Sequence, residues 1–196
     1  MKQIRITCNN GIATFETVSI DDSENVFFTN EDTTQAHWPD ISTNQLGPAP
    51  SANSSQCTVP SGIAYTFSTF TYGCKIAGHQ NEVGIINVFN QLAPGKTTLP
   101  PATVGKPIAP VQVVTGGMSP YEISGQVFQV TDDNGKIIQQ DSGSIGPGLQ
   151  LTASDNNTGI TVSGTPTTRG TYNFTFIVND AMGRNLQQVQ YSMVVT

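Results

Sequence analysis

Residues 2–8, KQIRITC, alternate polar and apolar side chains with the period of two that places neighbours on opposite faces of a β-strand. VFFTN at 26–30 and AYTFSTFTY at 64–72 are rich in β-branched and aromatic residues and predict two further strands; GIINVF at 84–89 predicts another. From 39 to 61 the stretch PDISTNQLGPAPSANSSQCTVPS has little period and reads as a long loop, the kind of segment that is usually functional or mobile. The proline-rich segment LAPGKTTLPPATVGKP at 92–107 reads as the connection between domains. Beyond it PVQVV, QVFQVTDD, LQLTA, GITVSG, TYNFTFIVND and VQYSMVV recur at the spacing of a β-sandwich. DDNG at 132–135 predicts a hairpin turn, because Gly accepts the positive φ such turns need. No internal repeat and no helical period stands out.

The pattern predicts an all-β chain of two sandwich domains, 1–93 and 99–196, with 94–98 as linker. Composition agrees. Charged residues make up only 11% of the 196 residues, whereas long helices usually carry Glu and Lys in quantity. The net charge is −6, which argues against nucleic acid or an anionic membrane surface as partner, since both require a basic face. No run of about 18 apolar residues predicts a membrane span. The start MKQIRITCNN lacks the apolar stretch of a signal peptide. Low charge with plentiful Thr and Asn nevertheless favours an exported protein, extracellular, on the cell surface or periplasmic, whose leader precedes this sequence. Residues 1–93 hold three basic and eight acidic side chains, so the first domain is the acidic one and could steer a basic partner protein. Solvated acidic surface is the commoner meaning of such a bias.

Reactive side chains concentrate in YGCKIAGHQNEVG, residues 72–84, which holds Cys74, His79 and Glu82. The one other histidine of the chain is His37. A thiolate and two imidazoles form a nitrogen-and-sulfur set suited to copper or zinc. A trigonal His–His–Cys set with one weak axial ligand is what a blue-copper electron-transfer site needs. Plainer roles are open to the same residues. Cys74 could be a small buried hydrophobe, His37 could cap the turn before WPD, and Trp38 is most simply a packing residue. A Cys–His nucleophile and base is disfavoured, because both residues share one loop with no third orienting group and no oxyanion hole. No phosphate loop or HExxH motif is present. The chain reads as a protein without catalytic residues.

The first domain resembles the cupredoxin family of small copper-binding β-sandwiches, on SENVFFTNEDTTQAH and PSGIAYTFSTFTYGCKIAGHQNEVGIINV. The resemblance implies a Greek-key sandwich with His37, Cys74 and His79 as ligands, copper as cofactor and a redox partner protein. Where the family usually places an axial Met, two residues before Gly84, this chain has Glu82. An axial carboxylate favours Cu(II), lowers the potential and predicts a green or red rather than blue protein. The alternative turns Glu82 to solvent and brings the carbonyl of Ala36 near the metal. Zinc satisfies the same four donors. A module of the same fold that stores metal or holds none is the alternative function. Once Cys74 is assigned to metal, Cys8 and Cys57 remain, and whether they form a disulfide stays open.

The second domain resembles the putative-Ig family of bacterial surface proteins, on LPPATVGKP, GGMSPY, GPGL and GITVSGTPTTRGTYNFTFIVNDAMG. It implies a spacer or adhesion module. Alternation places Tyr172, Phe174, Phe176 and Val178 on one face, and Asp180 with Gly183 closes the next hairpin; a calcium role for Asp180 would need more carboxylates nearby.

Overall fold

The computed structural model describes residues 2–9, 12–32, 35, 39–41, 56–58, 68–74, 78, 79, 81–187 and 189–196. Every regular element among these residues is a β-strand, so the chain is all-β. No helix among them is long and apolar enough to cross a membrane. The chain divides into two units, Met1–Gln91 and Leu92–Thr196.

The first unit holds β1 (Lys2–Asn9), β2 (Ile12–Phe15), β3 (Val18–Asp21), β4 (Asn25–Asn30), β5 (Pro39–Ile41), β6 (Gln56–Thr58), β7 (Ser68–Cys74) and β8 (Val83–Phe89). They form two four-stranded sheets, in the orders β2-β1-β4-β6 and β3-β8-β7-β5. Pairing is parallel between β1 and β4 and between β3 and β8, so the chain crosses between the sheets instead of running through each as a meander. The crossing is made at Glu16 and Thr17, between β2 in one sheet and β3 in the other. Alternation in β1 turns Ile4 and Ile6 inward, where they join Phe15, Val18, Ile20, Val26, Phe28, Tyr72, Ile86 and Val88 in a single core drawn from both sheets. The unit is a β-sandwich.

One expectation for this unit needs correcting, and one question left open is answered. The stretch 39–61 is not wholly loop: β5 and β6 lie within it. Each has three residues, too few for a period to show in the sequence. A Cys8–Cys57 disulfide is excluded by register. Cys57 faces Val26, and Val26 faces Lys2, which stands six residues from Cys8 along β1. At about 3.3 Å per residue the offset is about 20 Å, far beyond the roughly 7 Å a disulfide spans between Cα atoms. Cys8 is a free thiol.

The second unit holds β9 (Ala93–Pro94), β10 (Ile108–Thr115), β11 (Glu122–Thr131), β12 (Ile137–Ser142), β13 (Leu149–Ala153), β14 (Gly159–Gly164), β15 (Gly170–Asn179), β16 (Asn185–Leu186) and β17 (Tyr191–Val195). One sheet runs β13-β14-β10-β9; the other runs β12-β11-β15-β16, with β17 also paired to β15. Their inner faces share a second core. The burial of β15 alternates without a break, and Tyr172, Phe174, Phe176 and Val178 lie on the buried side, as the sequence predicts. The hairpin between β11 and β12 turns at Gly135, where φ is +79° and the amide donates to the Asp132 carbonyl.

The segment 94–98 read as a linker is part of this unit. Pro94 pairs with Val114, the amides of Gly95 and Lys96 donate to the carbonyls of Val113 and Gln112, and Thr98 bridges Ser192 in parallel. Proline cannot donate to a ladder, but at a sheet edge it need not.

Candidate metal centre

Cys74 is the last residue of β7, and Glu82 immediately precedes β8. These strands pair antiparallel, Tyr72 facing Gly84 and Gly73 facing Val83, so the loop between them leaves and re-enters the sheet at one level. The Cys74 amide donates to the Glu82 carbonyl at 3.1 Å and extends the ladder by one rung. The Glu82 amide donates to the His79 carbonyl at 3.0 Å and closes a tight turn over 79–82. Two short backbone closures therefore hold all three side chains at the end of the sheet.

Under this rung lies a pair that pattern reading did not single out. Tyr72 is 1% exposed, and its ring covers Gly84 so closely that a Cβ there would sit 2.3 Å from Tyr72 Cζ. The ring packs against Phe28 and Phe15 at centroid distances of 5.0 and 5.6 Å, and its hydroxyl donates to the Glu16 carbonyl. Burial, and next the Glu16 charge, push its pKa upward. An isolated glycine inside a strand is the signal that could have found this close approach. Tyr72 lies two residues before Cys74, and Gly84 two residues after Glu82, so the pair fixes the base of the loop.

The side chains converge. Cys74 Sγ lies 3.8 Å from His79 Nδ1, and His79 Nδ1 lies 3.0 Å from Glu82 Oε2. The sulfur, nitrogen and carboxylate oxygen are all within 4.8 Å of one another. The His79 and Glu82 side chains are 15% and 19% exposed, and Cys74 is half-buried. Glu82 thus turns in to the imidazole. Metal–sulfur bonds of about 2.3 Å and metal–nitrogen bonds of about 2.0 Å place two ligands of one ion about 3.5–3.7 Å apart. The sulfur–nitrogen separation is close to that value, and the donor chemistry fits a transition metal. Of the four residues expected to bind metal, Cys74, His79 and Glu82 are brought together, while His37 lies outside the described residues, as do Trp38 and Ala36.

In the second unit, Asp180 closes the β15–β16 turn, and its carboxylate is committed elsewhere than to calcium. Oδ1 accepts from the amides of Met182 and Arg184, at 3.0 and 2.9 Å. Oδ2 accepts from the Met118 amide at 3.0 Å and from Arg184 Nε and Nη2 at 2.8 and 2.6 Å.

No family model and no curated protein matches this chain. Among solved structures it is similar to SporoSAG of Toxoplasma gondii, at 12% identity and a TM-score of 0.42, over 92% of this chain and 96% of that one. It is also similar to the fibronectin(III)-like modules of Clostridium thermocellum CbhA, at 10% identity and a TM-score of 0.28, over 92% and 90% of the two chains.

Proposed function

We propose that this chain is a mononuclear copper-binding electron-transfer protein of cupredoxin type, extended by an Ig-like domain. The observation that carries the reading is the convergence of the Cys74 sulfur, the His79 nitrogen and the Glu82 carboxylate within 4.8 Å at the end of one sheet. The fourth donor it requires is His37. Pro39, two residues further on, is the antiparallel partner of Cys74, and two residues of chain span at most about 7 Å. Two four-stranded sheets joined by crossing strands are compatible with a Greek-key sandwich.

Copper held there would supply a single-electron couple between Cu(I) and Cu(II). Cys74 contributes the soft thiolate and the covalent route into β7. His79 is positioned by the 79–82 turn, and Glu82 adds a hard donor that favours the oxidised ion. The partner is a redox protein, and the acidic balance of residues 1–93 favours a basic one. An exported location belongs to the same proposal, as does a spacer role for the second unit.

One contact favours a metal-free reading: the His79–Glu82 approach of 3.0 Å closes the loop by itself. The experiment is a Cu(II) titration followed by visible absorption and voltammetry. The expected result is an intense sulfur-to-copper band at one equivalent. Cys74→Ser should abolish it, and His37→Ala should weaken copper binding by more than about 100-fold. Glu82→Gln should move the band toward an ordinary blue spectrum and raise the potential. A colourless protein that takes up one zinc favours zinc, and no uptake leaves the metal-free module.

A further inference from the structure

The outer face of the sheet β12-β11-β15-β17 in the second unit carries a row of uncharged polar side chains. Register brings Gln140, Gln129, Asn173 and Ser192 to one level across four neighbouring strands. All lie opposite the core: the residues next to them in β11, Phe128 and Val130, and in β15, Tyr172 and Phe174, are the buried ones. One step along, Val127 stands beside Thr175, and Val127 is 48% exposed. Two clefts of ≈ 320 and ≈ 420 Å³ open here and share Val127, Phe128 and Gln129; Asp141 is the one charged residue that lines either of them. The row of four is free of charge, and so is the Val127–Thr175 pair beside it.

We propose that this face is a binding site for a neutral polysaccharide chain, on the ground of chemical complementarity. A sugar hydroxyl both donates and accepts, and so do a carboxamide and an alcohol side chain, whereas an ammonium only donates and a carboxylate only accepts. Sugar rings also present apolar C–H faces, which need an exposed aliphatic surface among the polar groups. Val127 supplies it. Four strands about 4.8 Å apart extend the row over about 14 Å, the length of a short oligosaccharide. An anionic glycan or nucleic acid would find no cation in the row, and an apolar peptide would leave the amides without partners.

The site is tested with the full chain by native electrophoresis in gels containing, one at a time, a β-glucan, a xylan, a galactomannan, starch and the anionic polymer alginate. Retardation by at least one neutral polysaccharide is expected, with at least a tenfold loss of affinity in Gln129→Ala/Asn173→Ala. Near-ultraviolet circular dichroism of that variant should match the parent, because both positions point away from the core. Four results overturn the proposal. These are no retardation by any neutral polymer, equal retardation of the variant, retardation by alginate alone, and a dimer in solution that the double substitution converts to monomer. The last would make this face a contact between copies.

Discussion

Gly84 has no space for a methyl group. An alanine there must displace the Tyr72 ring, which is held between Phe15 and Phe28 and anchored on the Glu16 carbonyl. Gly84→Ala should therefore cost about 1–3 kcal/mol in urea unfolding, as overpacking does. Tyr72→Phe, which keeps the ring and loses the hydroxyl, should cost about 1 kcal/mol. If Gly84→Ala is neutral, the ring is not the constraint. Buried phenols also set a pH limit. Burial, followed for Tyr121 by the Asp180 charge, raises Tyr121 and Tyr191 to about 12. Each folded-state pKa lies above its unfolded value near 10, so the unfolded chain gives up these protons first. Stability should hold below about pH 10 and fall between about 10 and 12, read as the urea midpoint against pH. Tyr191→Phe should flatten the slope; an unchanged slope would remove Tyr191 from the account. The cluster of Cys74, His79 and Glu82 was legible as three donors within nine positions between two strand candidates, but whether Glu82 turns inward was not. The Tyr72–Gly84 contact was not, because cross-strand partners are set by register, which a single sequence shows only indirectly.

Strands differ in how visibly they are written. β15 shows an unbroken buried and half-buried alternation, and its inward side chains could be named from the sequence. β5 and β6 could not, since three-residue edge strands take their place from the partner they join. The hairpin after β15 was readable from Asp180 and Gly183, but not that the same carboxylate also holds the Met118 amide, 62 positions away. Asp180 has a fully buried side chain and pairs with an Arg184 side chain that is 19% exposed. Removing it takes one acceptor from the Arg184 guanidinium and the side-chain acceptor from the amides of Met118, Met182 and Arg184. Asp180→Ala should cost about 3–5 kcal/mol, measured by chemical unfolding. A loss under about 1 kcal/mol would mean that water replaces the carboxylate without difficulty.

Each unit carries a core of its own, one drawn from β1–β4, β7 and β8, the other from the strands after residue 92 and the segment that precedes β10. Calorimetry of the whole chain should resolve two transitions, with Gly84→Ala lowering one midpoint and Asp180→Ala the other. A single transition moved by both substitutions would show one cooperative unit. The proline-rich boundary was visible as composition, yet proline content could not tell a tether from an edge, because both leave backbone donors unused. That edge bears on how the second unit responds to force. The arm at 98–102 runs parallel to β17, with Thr98 bridging Ser192 and Ala102 bridging Val195, and these segments lie toward opposite ends of the unit's chain. Pulling those ends apart drags the two segments past each other lengthwise, so their hydrogen bonds must rupture together instead of opening one at a time like a zip. Stretching single molecules in an optical trap should therefore show one high, abrupt rupture for this unit, and a gradual extension would show that the arm peels away rung by rung.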